Sequence, residues 1–163
     1  MFCTECGEQL TLMFKNDEGL VPYCKKCGEY RFPRFATAVI MVVTNRSKDK
    51  ILLAKHKNSD DFILFAGYIK KGETAEKAVT REFKEETKLD TVKFKYLSSR
   101  YHEAKNILML GFVTVAENGN ITLDENELDE VKWFDLDEAL NAVKKDSIAE
   151  SLLKSALPEI KKL

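Results

Sequence analysis

Beyond Cys27 the chain has no cysteine; all four fall within its first 27 residues. A secreted fold stapled by disulfides spreads its cysteines along the whole chain, so that class is excluded. An excess of one charge is equally lacking. With 26 basic and 27 acidic residues the formal net charge is −1, and no bulk field draws the chain onto nucleic acid or an anionic membrane. Long apolar runs are missing too. The longest, "TAVIMVV" at 37–43, falls far short of the roughly 20 residues that span a bilayer. The opening "MFCTECGEQL" has neither the basic start nor the apolar middle of a secretory signal. These absences give the expectation of a cytoplasmic protein without a membrane partner. No internal repeat or low-complexity tract occurs. What is present is 44% hydrophobic residues in 163, enough for one domain with a real core and an appendage.

The appendage is where the cysteines are. "CTECG" (Cys3, Cys6) and "CKKCG" (Cys24, Cys27) are two C-x-x-C-G turns, each aiming two sulfurs at one point while its glycine relieves the tight backbone. That spacing predicts a four-thiolate zinc site; a redox C-x-x-C is the alternative, weakened by the second copy and by the lack of a neighbouring βαβ pattern. A segment this small cannot bury enough apolar surface to fold unaided, so its zinc has a structural role. Pro33 in "YRFPRFATAVIMVV" marks the boundary, giving a zinc ribbon over 1–33 and a main domain over 34–163, with no Gly- or Ser-rich linker between them.

In the main domain, "FATAVIMVVTN", "KILLAKHK" and "FILFAGY" read as strands. Then the period changes. "TAEKAVTREFKEETK" contains no Gly or Pro, opens on the N-cap Thr74 and predicts a helix of about four turns. Strands follow at "VKFKYLSSRY" and "NILMLGFVTVA", then the turn "ENGN", the stretch "ITLDENELDEVKWF", and helices at "DLDEALNAVKK" and "SIAESLLKSALPEIKKL". The last helix puts Ile148, Leu152, Leu153, Ala156, Leu157 and Ile160 on one stripe, facing either the core or a dimer partner.

The helix over 74–88 raises a question of charge. Glu82, Glu85 and Glu86 stand three and four residues apart and so share a face, where like charges cost a few tenths of a kcal/mol per pair. The ordinary reading is a solvated face with Lys84 and Lys88 as counter-charges. Against it, Ala75 and Ala78 lie on the same side and Val79 and Phe83 beside it, so the acidic stripe borders the buried one. An acidic wall with room in front suits hard, oxygen-ligated cations such as Mg²⁺ or Mn²⁺. Ahead of the helix, "AGYIKKGE" leaves a strand through Gly67, loops past Gly72 and delivers Glu73 within reach of Arg81.

This stretch resembles the Nudix box, G-x5-E-x7-R-E-U-x-E-E-x-G-U with U a bulky apolar residue, at Gly67, Glu73, Arg81, Glu82, Phe83, Glu85, Glu86 and Leu89. Lys88 stands in place of the second glycine, a departure that touches only the left-handed helix exit and costs roughly 1 kcal/mol. The resemblance implies an α/β fold, an α/β/α sandwich with a mixed sheet, that hydrolyses a nucleoside diphosphate linked to another group. It implies Mg²⁺ or Mn²⁺ on Glu82, Glu86 and the Ala66 carbonyl, Glu85 close by, and Glu73 and Arg81 bracing the loop. Glu86 or a neighbour would orient or deprotonate the attacking water, and the residues alone leave base and ligand undivided.

A ribbon followed by such a domain is similar to the NADH pyrophosphatase family. That resemblance implies a substrate-stacking pair in Phe32 and Tyr68, a further metal carboxylate in Glu127, a substrate contact at Ala149 and a weaker one at Glu18. It also implies a homodimer, which the apolar terminal helix and the aromatic content support. The family's signature after the box, S-Q-P-W-P-F-P-x-S, is absent. Near "SSRYHEAKNI" only Ser99 remains, and Arg100, Tyr101, His102 and Lys105 stand where Pro and Trp would be, in a substrate-reading or a mobile surface loop. His56 is read as a strand-end surface residue. The expected reaction is cleavage of a dinucleotide such as NAD(H) to AMP plus NMN(H), with NAD-capped RNA a further candidate. The alternatives are ADP-ribose, FAD or a nucleotide sugar as substrate, or a non-catalytic nucleotide sensor whose ribbon binds nucleic acid or protein.

Overall fold

Gly7 and Gly28 both adopt the left-handed conformation, at φ 75° and 73°, which residues with a Cβ resist. Each closes its knuckle with a backbone bond, Gly7 N to Cys3 O at 2.9 Å and Gly28 N to Cys24 O at 2.8 Å. The computed structural model describes residues 1–57, 61–123 and 128–163, and divides them into two units, Met1–Phe35 and Ala36–Leu163. In the first unit β1 (Thr11–Lys15), β2 (Gly19–Cys24) and β3 (Glu29–Tyr30) form an antiparallel sheet in that order. Its buried apolar residues are Cys3, Val21 and Cys24, far too little apolar surface to offset the entropy of ordering the segment.

In the second unit, the described residues form a mixed sheet of seven strands. β4 (Ala36–Thr44) runs parallel to β9 (Ile107–Ala116) at its centre, flanked by β8 (Thr91–His102) on one side and by β5 (Lys50–His56) and β10 (Leu128–Asp135) on the other. β4 is buried on both faces and reads as one apolar run, as a central strand covered by helices must. Its Val39, Met41 and Val43 pack with Ala78, Val79 and Phe83 of α1 (Ala75–Thr87). Ile40 and Val42 face the other way, toward Ala139 of α2 (Leu136–Ala142) and Leu152, Leu153, Ala156 and Ile160 of α3 (Ile148–Ile160). The result is an α/β/α sandwich.

Two expectations change. The single strand expected over 62–68 is two short ones: β6 (Phe62–Ile63) pairs with β5, and β7 (Phe65–Tyr68) pairs with β4. The chain switches partner at the buried Leu64, which no alternation in the sequence marks. The apolar stripe of the last helix is buried within this chain, so it offers no support for a dimer. The strand expected over 92–101 is present as β8, so Ser99, Arg100, Tyr101 and His102 stand on it, and a 3₁₀ turn at Glu103–Lys105 and Asn106 at φ 53° follow.

Candidate active site

The four cysteines converge. Their ligand atoms all lie within 4.8 Å of one another, with Cys3 Sγ to Cys27 Sγ 3.9 Å and Cys6 Sγ to Cys24 Sγ 3.5 Å. A tetrahedral zinc with 2.3 Å bonds sets its sulfurs about 3.8 Å apart, and a disulfide needs about 2.05 Å, so the quartet fits a metal and not a crosslink. Arg31, which sequence reasoning missed, donates from Nε to Cys3 Sγ at 3.3 Å and holds that thiol's pKa down to about 6. Hydrogen bonding with Cys6 and then Cys24 pushes Cys27 up to about 12. A thiolate is the form that ligates a metal, so a cation entering the quartet would displace the protons its sulfurs carry.

The second cluster is built on α1. Thr74 caps the helix, accepting from Lys77 N at 3.4 Å, and the chain leaves it through Lys88 in the left-handed conformation, φ 61°, with Lys88 N bonded to Lys84 O at 3.0 Å. The helix exit that the motif gives to glycine is therefore made here by lysine. Arg81 is the hub of the site. Its Nε and Nη2 grip Glu73 bidentately at 2.7 and 2.8 Å, its Nη1 reaches Glu82 Oε1 at 2.7 Å and Glu85 Oε2 at 3.0 Å, and Nη2 also donates to the Tyr68 carbonyl at 3.0 Å. One guanidinium thus ties the loop, the end of β7 and two helix carboxylates together. Glu73 also accepts from Lys70 N at 2.9 Å, and Arg81 followed by this bond holds its pKa at about 2.

Glu82 lies directly over Gly67. A Cβ at position 67 would overlap the Cδ, Oε1 and Oε2 of Glu82, well inside the 3.0 Å that real Cβ contacts keep. Gly67 does not have a positive φ, so room for the carboxylate and not backbone freedom is what this position requires. Glu86 is buried at 9% exposure, whereas the Glu85 side chain is 53% exposed. The three carboxylates are therefore not an even wall. Among the described residues the cysteines form the group of three or more His, Cys, Asp or Glu whose ligand atoms fall within 4.8 Å, and the α1 carboxylates do not gather so closely. Arg81 sits between Glu82 and Glu85, which separates them. A spread donor set of this kind suits Mg²⁺ or Mn²⁺, which take one or two carboxylates and fill the remaining positions with water and phosphate oxygens.

A model of the NUDIX domain matches residues 34–155. The chain belongs to the NUDIX family. Among curated relatives, the NAD-capped RNA hydrolase NudC of Vibrio atlanticus is 30% identical over 163 residues, covering 99% of this chain and 59% of the relative. Its counterpart from Haemophilus influenzae is 34% identical over 144 residues, covering 85% of this chain and 53% of the relative. The chain thus spans little more than half the length of these relatives. Among solved structures, a NUDIX hydrolase from Nitrosomonas europaea superposes with a TM-score of 0.70 at 20% identity, covering 97% of this chain and 90% of that one. The NUDIX domain of Shewanella oneidensis NrtR, solved with ADP ribose, gives 0.66 at 18%, covering 85% and 94%. These two likenesses speak to the NUDIX fold alone.

The remaining expected residues fall in three places. Phe32, 49% exposed, lines a depression of about 310 Å³ in the first unit, with Lys15 Nζ 5.1 Å from its ring centre. Tyr68, in the NUDIX unit, is 58% exposed. Ala149 lines a groove of about 690 Å³ with His56, Tyr101, His102 and Lys105, over a floor that includes Ile40, Leu64 and Met109. His56 is the exposed last residue of β5, as expected, and there it also lines this groove. Ile40 is the cross-strand partner of Ala66, so the groove wall continues into the strand that opens the NUDIX motif. Glu127 lies outside the described residues. Glu18 falls in an exposed 3₁₀ turn at Asn16–Glu18. No described helix is long and apolar enough to cross a membrane.

Proposed function

We propose that this NUDIX chain is a divalent-metal-dependent pyrophosphohydrolase cleaving a nucleoside diphosphate linked to another moiety, with a dinucleotide such as NAD(H) as substrate and AMP plus NMN(H) as products. The observation that carries the reading is the seat of Glu82 on Gly67 with Arg81 bridging Glu73, Glu82 and Glu85. Four hydrogen bonds of one arginine go to carboxylates and a fifth to the Tyr68 carbonyl, an arrangement that a solvated helix face does not require. Glu82, Glu86 and the Ala66 carbonyl are proposed to hold Mg²⁺ or Mn²⁺, with Glu127 a further ligand. When bound, the cation supplies charge neutralisation on the bridging phosphates and a more acidic water. Glu86 or Glu85 orients the attacking water and takes its proton. The water oxygen bonds to one phosphorus, and the bridging oxygen leaves on the other phosphate. Arg81 and Glu73 are proposed to keep the loop fixed through the step, which limits the reorganisation it requires.

Phe32 and Tyr68 are proposed to stack on substrate rings, and Ala149 with the groove beside it to receive part of the substrate. The four cysteines are proposed to hold structural zinc, and the assembly is proposed to be a homodimer in the cytoplasm. NAD-capped RNA is a candidate substrate because the curated relatives at 30% and 34% identity bear that name. The groove, rimmed by Tyr101, His102 and Lys105 instead of proline and tryptophan, favours a second reading, in which ADP-ribose, FAD or a nucleotide sugar is the preferred substrate. AMP release from a panel of these compounds with Mg²⁺ or Mn²⁺ separates the two. Glu82→Gln and Glu86→Gln are expected to lose nearly all activity. Full activity in both, or no cleavage of any nucleotide diphosphate by the parent protein, refutes the enzyme and leaves the nucleotide sensor.

A further inference from the structure

Arg31 plays no part in the NUDIX motif, yet it is among the best-held side chains of the first unit. Its backbone N–H donates to Pro22 O at 2.7 Å, fixing it beside β2, the strand that ends at Cys24. Its guanidinium crosses to the other knuckle and donates from Nε to Cys3 Sγ at 3.3 Å. Nη1 is paired with Glu29 and also donates to Tyr30 O at 3.5 Å, and the side chain is 12% exposed. One residue therefore joins the two cysteine pairs without being a ligand, and a metal held by four thiolates carries a net charge of −2 that its surroundings must offset.

We propose that Arg31 is the outer-sphere positioning residue of the four-cysteine site, orienting Cys3 and offsetting thiolate charge so that the zinc is retained. The inference rests on the zinc reading above. Three features point to this role and away from an ordinary surface ion pair. The donor is Nε, whose direction is fixed by the plane of the guanidinium, and the acceptor is a buried cysteine. Glu29 holds the far side of the same fork, so the plane cannot turn freely. Lys25 and Lys26, between the cysteines of the second knuckle, are both exposed and donate to no sulfur among the described residues, and Arg34 is turned to Glu5 at 3.0 Å. Outer-sphere partners of metal ligands set affinity by about 10- to 100-fold when removed.

The test is zinc transfer from the full chain to 4-(2-pyridylazo)resorcinol. Arg31→Gln is expected to lose zinc at about 10- to 100-fold lower chelator concentration than the parent protein, and Arg31→Lys to recover only part of the loss. Glu29→Gln, at a largely exposed carboxylate, keeps Arg31 but frees its plane, and is expected to shift release the same way by a few-fold. Lys25→Gln and Lys26→Gln serve as charge controls and are expected to stay within about twofold of the parent. Unchanged release in both Arg31→Gln and Glu29→Gln overturns the proposal, as does an equal loss in the lysine controls, which would make it a bulk charge effect. A parent protein that purifies without zinc and takes up none refutes the zinc reading itself, an outcome distinct from the failure of Arg31.

Discussion

Gly67→Ala is the most direct probe of the NUDIX site, because the structure separates its effect on chemistry from its effect on folding. The added methyl would overlap the Glu82 carboxylate, the far end of a flexible side chain, so the carboxylate moves and the sheet does not. Moving it breaks the 2.7 Å bond from Arg81, worth about 1.5–3 kcal/mol for a charged pair, and the carboxylate regains part of this from water. Replacing glycine in a strand returns about 0.4–1 kcal/mol through the unfolded chain. The balance is a destabilisation of about 1–2 kcal/mol, or a Tm lower by about 2–8 °C. Catalysis is far more sensitive, since a displacement of about 1 Å in a reacting group can cost 100-fold. The expected result is therefore kcat down by about 100-fold or more and a higher Mg²⁺ requirement, in a protein that still melts cooperatively. Dinucleotide hydrolysis measured across a Mg²⁺ titration, beside a thermal melt, gives both quantities. Adding Glu82→Asp, one methylene shorter, to Gly67→Ala is expected to restore part of the rate. Parent-like kcat in Gly67→Ala, or a loss of activity accounted for by unfolding, refutes the role given to this contact.

Glu73 supplies a pH signature. Its pKa is lowered from 4.5 to about 2, so its contribution to stability is full above pH 4.5 and is lost as pH falls toward 2. Denaturant unfolding is expected to show Glu73→Gln less stable than the parent above pH 5, the gap closing between pH 4.5 and 2; a gap independent of pH counts against the Arg81 clamp. Lys88→Gly relieves a left-handed residue at the helix exit and is expected to raise Tm by about 2–4 °C, with little loss from the exposed Lys88 Nζ bond to Glu85 O. Removing zinc with a chelator is expected to expose residues 1–35 to limited proteolysis while the NUDIX unit stays protected; equal protection of the ribbon without metal contradicts its reliance on the ion.

The helix of the site was legible almost to the residue, because Thr74 caps it and the period of Ala78, Val79 and Phe83 sets which face is buried. The reason for Gly67 was not. A motif says that glycine belongs there, but only the packing of Glu82 against it shows that the missing side chain is the point. Arg31 was invisible for a related reason: a guanidinium one shell out obeys no spacing rule, and the sequence shows only an arginine just after the second knuckle. The terminal stripe allowed core or dimer equally, since both bury the same residues, and the tertiary structure places it in the core. The groove near Ala149 collects residues from Ile40 to Ala149 and could not be assembled from any local pattern.

The parallel pairing of β4 with β9 has a consequence in time. These strands join Ala36–Thr44 to Ile107–Ala116, so the centre of the NUDIX sheet cannot close until residues near 116 are available, a long-range contact of the kind that slows folding. The four cysteines all lie in the first unit, Met1–Phe35. During synthesis from the N-terminus its knuckles can capture an ion while most of the sheet has yet to be made. On the zinc reading, metal supply at the ribosome bears on the smaller unit, and chain completion on the larger one.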